Sequence, residues 1–261
     1  MNTLLHELEE TVVDAWPAAE TEELAGWLLR KSGGPSHRAN SVATLDALDD
    51  MPLPTRIARV EAWYREHGQL PMFQVGPCAS PAGLDAALEE RGYLQEGAAA
   101  FARTTPAELL ERLGRGQDLE CSVSSNAKSA WLQIAVHQSR FASSADVFKG
   151  ILARLGSRAR FALARDAEGE ACAAALAIAS EDRLGIYAMF TLPHRRRKGA
   201  GKGLLRALAQ SARADAMREL YLLVELGNVA ARGLYQTSGF EDVYQYAYRV
   251  FDDGRRGATF C

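Results

Sequence analysis

The chain has 261 residues, 48% of them apolar and 24% charged, with a net charge of −3. That length suits two packed domains better than one, and the apolar share supports a core in each. The acidic balance opposes a protein that lives on nucleic-acid phosphate, and no apolar run approaches the roughly 20 residues that cross a bilayer.

In chain order, the opening segment MNTLLHELEETVVDAW is acidic and periodic, unlike a signal peptide, and predicts a helix over 4–16. Strands are expected over 26–30, 38–42 and 72–76, helices over 54–67 and 81–91, and a strand over 96–103. Thr105-Pro106 can begin a short helix and Gly114-Arg115-Gly116 can end it, which marks 105–117 as a linker between domains 1–104 and 118–261. The second half predicts a strand over 119–124, helices over 127–138 and 145–155, and three hairpin-connected strands over 161–165, 171–179 and 185–192. After Gly201, the residues Leu204, Leu205, Leu208, Ala209 and Ala212 recur at helical spacing. A strand over 219–225, a helix over 230–237 and a strand over 243–250 complete a β-α-α-β-β-β-α-β-α-β order, a mixed α/β sheet. Cys78, Cys121, Cys172 and Cys261 are scattered, form no CxxC pair and cluster with no histidine. Neither a metal site nor a disulfide framework is expected; four reduced thiols in a cytoplasmic protein are.

The most specific local feature is the run from Pro193 to Gly203, PHRRRKGAGKG, which follows a strand and opens a helix. Glycines let the backbone turn tightly and approach a ligand. The first amides of the helix lack intrahelical partners and sit at the positive end of its dipole, a ready site for phosphate. The P-loop pattern fails because no Ser or Thr follows in register, and the Rossmann pattern fails because Leu204 stands where its third glycine belongs. What remains is Arg-x-x-Gly-x-Gly at Arg196, Gly199 and Gly201. A basic surface turn is the plain alternative. The arrangement resembles the pyrophosphate loop of the GNAT superfamily, the acyl-CoA-dependent N-acyltransferases.

Downstream, Asn228, Ala231, Leu234, Tyr235, Gly239 and Phe240 make an Asn-x-x-Ala-x-x-Leu-Tyr-x-x-x-Gly-Phe motif, which again resembles GNAT enzymes. Asn228 also suits an N-cap, and Tyr235 also suits packing at a helix–sheet junction. The two residues are seven apart, about two helical turns, and share a face. The resemblance covers roughly 119–251. Together with the N-terminal echo described below, it implies two GNAT-like domains, each a mixed, largely antiparallel sheet flanked by helices, with acetyl-CoA as cosubstrate. It further implies phosphate contacts from Arg196, Arg197, Lys198, Gly199, Ala200, Gly201 and Lys202. The backbone of Met189, Phe190 and Thr191 would pair with pantetheine, with Asn228 and Ala231 beside it. Family members often carry valine where Thr191 stands, a mild departure for a backbone contact. Tyr235 falls where the family's tyrosine protonates the departing CoA thiolate, chemistry that suits a phenol at pH 7.

The amine acceptor must be neutral to attack, and a carboxylate commonly takes its proton. Glu225 shares a strand face with Tyr221 and Leu223 and is the candidate base or amine anchor. A solvated strand-end carboxylate is the alternative. In some family members the base sits where Leu223 stands here, and His137 and His194 are weaker options.

The N-terminal half reads as a worn copy of the C-terminal half. Arg91-Gly92-Tyr93 echoes Ser238-Gly239-Phe240, and Arg103 echoes Arg249. Pro81 and Leu88 replace Asn228 and Tyr235. Asp46, Asp49 and Asp50 occupy the loop where pyrophosphate would sit, and would repel it. This half is therefore expected to bind no CoA. The segment from Trp27 through Arg30 and from His37 to Val42 resembles parts of some bacterial tandem GNAT proteins. The expected activity is N-acetyl transfer to a small-molecule amine or a protein N-terminus, with neither a nucleic-acid nor a membrane partner and a homodimer as a candidate assembly. A CoA-binding regulator without turnover is the competing reading, and a nucleic-acid module using Arg195–Lys198 is opposed by the acidic balance and the lack of interleaved aromatics.

Overall fold

A computed structural model describes residues 3–34, 36–46, 48–114 and 119–252. It divides into two compact units: Met1–Ala99 with Tyr244–Cys261, and Ala100–Val243.

The first unit contains α1 (Thr3–Asp14), β1 (Glu20–Leu24), β2 (Trp27–Lys31), β3 (Val42–Ala43), α2 (Leu53–Glu66), β4 (Met72–Val75), α3 (Leu84–Glu90) and the start of β5 (Tyr93–Thr104). β1, β2 and β3 run antiparallel, β3 and β4 run parallel, and the end of the chain's last strand pairs antiparallel with β4. Ile57, Val60 and Tyr64 recur at helical spacing on α2 and are buried against Trp27, Leu29, Phe73 and Tyr93. Arg249 closes the unit by donating to both Asp85 carboxylate oxygens of α3, at 2.7 and 2.9 Å. Two expectations are corrected here. The strand expected over 38–42 is a 3-10 turn, His37–Ala39, followed by the two-residue β3. Asn40 explains the turn: its side chain accepts from the Ser32 and Gly33 amides and donates to the Gly33 and Ser36 carbonyls. The strand β1 was not expected at all.

The second unit takes the end of β5, then α4 (Pro106–Leu113), β6 (Glu120–Ser124), α5 (Ser129–Leu132), α6 (Ala145–Leu155), β7 (Ala159–Arg165), β8 (Ala171–Ser180), β9 (Arg183–Thr191), α7 (Ala200–Ala214), β10 (Glu219–Glu225), α8 (Val229–Thr237) and the start of β11 (Glu241–Phe251). Its strand order is β5-β10-β9-β8-β7-β6, with β6 to β9 antiparallel and β9 parallel to β10. Leu204, Leu205, Leu208, Ala209 and Ala212 of α7 are fully buried on a sheet face of small side chains that includes Ala162, Ala164, Ala173, Ala175 and Ala177. Such a face lets helix and sheet approach closely. At Gly203 a Cβ would lie 2.8 Å from Cys121 Sγ.

Within the expected linker 105–117, residues 106–113 form α4, and 115–117 lie outside the described residues. Thr105 caps α4 by accepting from the Glu108 amide, Leu109 is buried in the second unit's core, and Arg206 of α7 donates to the Leu113 carbonyl at 2.9 Å. The helix expected over 127–138 is the short α5 continued by a π turn, Gln133–His137, anchored where Trp131 Nε1 donates to the Ala175 carbonyl at 2.9 Å. Among the described residues no helix is long and apolar enough to cross a membrane. Cys78, Cys121 and Cys172 are free thiols; Cys261 lies outside the described residues.

Candidate active site

The site begins where two parallel strands part. β9 and β10 pair from Arg183 with Glu219 to Ile186 with Leu222, and the register ends there. Each strand continues, β9 to Thr191 and β10 to Glu225. Five residues of β9, Tyr187 to Thr191, thus lie beyond the last β10 pairing. Opposite them on β8, Tyr187 pairs with Leu176 and Phe190 with Ala174, so Ala188 and Met189 together face the single residue Ala175. This is a β-bulge, and Ala188 adopts φ +47 within it. Met189, Phe190 and Thr191 are all partly exposed, as residues lining a gap must be.

The phosphate-loop candidate follows directly. Leu192 donates its amide to the Cys172 carbonyl, and Pro193–Arg195 form one 3-10 turn. Arg196 Nε donates to the Thr191 carbonyl at 3.3 Å. Arg197 (φ +63) and Gly199 (φ +86) take left-handed conformations, and Gly199 caps α7 without any side-chain hydrogen bond. The first internal bond of that turn is Gly203 amide to Gly199 carbonyl, 2.9 Å, so the amides of Ala200, Gly201 and Lys202 head the helix free for an anion. A Cβ on Gly199 would meet nothing closer than Leu119 Cδ1 at 3.8 Å; its requirement for glycine is conformational. At Gly201 a Cβ would lie 3.0 Å from Leu234 Cδ2, so this glycine also lets α7 approach α8. Arg196, Arg197, Lys198 and Lys202 are exposed and Ala200 is buried.

α8 carries the second motif. Asn228 Oδ1 accepts from the Ala231 amide at 3.1 Å, so the asparagine is an N-cap. No residue of α8 is buried, although Ala231, Leu234 and Tyr235 pack against the unit's core, as does Met189. The Tyr235 ring meets Phe240 edge-on at 5.7 Å, and its hydroxyl has no hydrogen-bond partner among the described residues. Desolvation by the core it packs on pushes the phenol of the half-buried Tyr235 up to about 12. Glu225 ends β10 exposed, with Arg140 Nη1 3.8 Å from its carboxylate. On the same strand, Tyr221 is buried, accepts from the Tyr187 hydroxyl at 2.9 Å and stacks on Phe101. His137 sits on the π turn and His194 in the loop, both exposed. The sequence reading missed the Ala188 bulge, because an alanine in an apolar run signals no change of handedness.

The first unit repeats the path: β3, loop, α2, β4, α3. Val42 and Ala43 pair in parallel with Phe73 and Gln74. Past that point the chain closes instead of parting. Thr44 Oγ1 donates to the Gln74 carbonyl, and the Ser80 amide donates to the Thr44 carbonyl at 2.7 Å. The carboxylate of Glu9, from α1, is buried here and accepts from the Cys78 amide at 3.0 Å. A Cβ on Gly76 would sit 2.5 Å from Glu9 Oε2. Desolvation raises the Glu9 pKa, and the Cys78 contacts offset part of that rise. The acidic loop is tied in place as well: Asp49 pairs with the buried Arg56, and Asp46 lies 3.1 Å from His6 Nε2.

Comparison with known proteins agrees with this geometry. The model of a family described as "Probable histone acetyltransferase Rv0428c C-terminal" matches residues 4–249. An "Uncharacterized N-acetyltransferase YobR" of Bacillus subtilis (strain 168) is 25% identical over 94% of this chain and 98% of its own length. A GCN5-related N-acetyltransferase from Kribbella flavida superposes with a TM-score of 0.71 at 15% identity, covering 96% of this chain and 95% of that one. A tandem GNAT protein from the clavulanic acid biosynthesis pathway gives 0.59 at 15% identity, over 76% of this chain and 69% of that one. The chain belongs to the matched family and, with it, to the GNAT superfamily: it is an N-acetyltransferase, an acyltransferase with a mixed α/β fold.

Proposed function

We propose that the second unit moves an acetyl group from acetyl-CoA to a primary amine by direct attack, and that the first unit binds no CoA. The observation that carries this reading is the parting of β9 and β10 above a helix whose N-terminus is uncapped and ringed by cations. A gap between two strands offers unpaired backbone at Met189, Phe190 and Thr191 to the amide groups of pantetheine. The α7 amides, with Arg196, Arg197, Lys198 and Lys202, hold the pyrophosphate. An amide released from the ladder at the Ala188–Met189 bulge is available to polarise the thioester carbonyl.

Tyr235 stays protonated at neutral pH and gives its proton to the departing thiolate, while Asn228 and Ala231 shape the wall beside pantetheine. Glu225, exposed at the mouth, holds the acceptor's ammonium or takes its proton. No metal enters this scheme. Acceptors are small-molecule amines or protein amines; the matched family's description as a histone acetyltransferase supports including a lysine-rich peptide. A cytoplasmic enzyme would meet both classes.

The test is free-thiol release from acetyl-CoA with a panel of amines: polyamines, amino acids, a lysine-rich peptide and a peptide N-terminus. Amine-dependent release supports transfer. Tight acetyl-CoA binding with no release for any amine supports a regulatory protein instead.

A further inference from the structure

Asp166 sits in the β7–β8 turn and has little exposure, 10% of its side chain. Its two oxygens do different things. Oδ1 accepts from the Glu168 amide at 3.2 Å and the Glu170 amide at 2.9 Å, which shapes the turn. Oδ2 is directed at the phosphate-loop candidate, where Arg195 Nη1 lies 2.8 Å away, an ion contact rather than an aligned hydrogen bond. Glu168 adds a second carboxylate 3.6 Å from the same nitrogen. Between turn and loop lies a cavity of about 330 Å³, lined by Leu119, Asp166, Cys172, Arg195, Lys198 and Ala200 among others. A loop beside such a gap lacks side-chain packing on that flank, and the ion contact spans it.

We propose that Asp166 is a positioning residue for the phosphate loop, and that Arg195 is its strut rather than a ligand of the cofactor's phosphates. The proposal rests on the reading that this loop binds CoA. The four basic side chains that follow one another from Arg195 to Lys198 then divide by role. Arg195 is neutralised by Asp166 and Glu168 and fixes the 3-10 turn Pro193–Arg195, whereas Arg197 and Lys198 are exposed. Holding Arg195 back has a chemical consequence. The left-handed turn at Arg197 and Gly199 keeps one shape, so that the α7 amides meet pyrophosphate already ordered.

The two roles for Arg195 predict opposite signs. Asp166→Asn keeps the Oδ1 acceptor and turn, but removes the charge that holds Arg195. If Arg195 is a strut, the CoA dissociation constant rises about fivefold, a size ordinary for coupled neighbours. KM for acetyl-CoA rises with it while kcat and melting temperature hold. If Arg195 is a phosphate ligand, freeing it tightens CoA binding. Arg195→Gln should weaken CoA binding by the same factor as Asp166→Asn, and the double variant should be no weaker than either alone.

The experiment is calorimetric titration of the full chain and these three variants with CoA, alongside their melting temperatures. Equal, non-additive weakening at unchanged melting temperature supports the proposal. Tighter or unchanged binding in Asp166→Asn, or additive losses in the double variant, overturns it while leaving the CoA reading intact. Should Asp166→Asn fail to fold, Glu168→Gln, which loosens the same hold on Arg195, takes its place: weaker CoA binding supports the strut, and tighter or unchanged binding overturns it. Failure of the unmodified protein to bind CoA overturns the CoA reading and this proposal together.

Discussion

β9 and β10 of the second unit, and β3 and β4 of the first, are the same device used in opposite ways. Both are short parallel pairs joined through a helix, and both pairings end after a few residues. In the second unit the strands then part, and the connecting loop carries Arg195, Arg196, Arg197 and Lys198. In the first the Ser80 amide bonds back to Thr44, Glu9 fills the space beside Gly76, and the loop carries Asp46, Asp49 and Asp50. Charge follows the same division: residues 1–99 hold 16 acidic and 7 basic side chains, whereas residues 100–243 hold 15 and 20. On the proposed reading, a polyanionic cosubstrate would be favoured beside the open pair and opposed beside the closed one. The lesson is that topology alone makes no binding site. A slot becomes core when a side chain from a neighbouring helix enters it and the backbone beyond it bonds to itself.

The comparison breaks most sharply at Tyr235, whose counterpart in the first unit is the fully buried Leu88. Tyr235→Phe keeps the ring on Phe240 and removes the proton. Turnover should fall about 100- to 10,000-fold, the usual worth of general acid catalysis, with acetyl-CoA affinity and melting temperature nearly unchanged. Because desolvation favours the neutral phenol and moves its pKa to about 12, Tyr235 should add no alkaline fall to the turnover profile between pH 7 and 10. A Tyr235→Phe enzyme with full turnover, chemistry being rate-limiting, would remove it from the mechanism.

A smaller effect is expected from giving the second loop the charge of the first. Arg197→Glu with Lys198→Glu alters two exposed side chains, so the fold should persist. CoA affinity should drop about tenfold or more, since two exposed ion contacts to phosphate, each worth roughly 0.2–1 kcal/mol, are lost and replaced by repulsions of similar size. The deficit should shrink as salt is raised. Gly201→Asp is a less clean variant, because its Cβ would also press on Leu234. Affinity unchanged by the double reversal would show that phosphate lies elsewhere.

The smallest effect concerns the plug in the first unit. Glu9 has a raised folded-state pKa, so its charged form is the disfavoured one in the native protein. Stability therefore falls as pH rises from the unfolded carboxylate range through the folded pKa. Glu9→Gln keeps an acceptor for the Cys78 amide and removes that penalty. Its melting temperature should exceed that of the unmodified protein at pH 7 and match it near pH 4. A lower melting temperature at pH 7 would mean that the charge itself stabilises this unit.

Much of this was legible in the sequence, for identifiable reasons. The strand 219–225 and the helix 145–155 match the structure residue for residue, because apolar residues at strand or helical spacing are bounded by Gly or charged turns. The loop from Arg196 to Lys202 and the Asn228–Tyr235 helix were legible because glycine and cap chemistry are local. What escaped depends on neighbours. β1, Glu20-Thr21-Glu22-Glu23-Leu24, is an edge strand with four exposed residues and no apolar alternation. The bulge at Ala188 is set by register against β8. The plug at Glu9 and the contact between Asp166 and Arg195 join residues 69 and 29 positions apart in sequence respectively, and no local pattern announces either. The chain path explains why the expected boundary at 105–117 differs from the observed units. β5 and β11 each begin in one unit and end in the other, a division that strand propensity does not encode.

The most direct test of the account is the stoichiometry of acetyl-CoA binding, measured by calorimetry on the full chain. One site per chain is expected, in the second unit, where the strands part and the loop is cationic. Two equivalent sites per chain would contradict it, because the closed pair β3 and β4 with its acidic loop would then bind the cosubstrate as well as the open pair does.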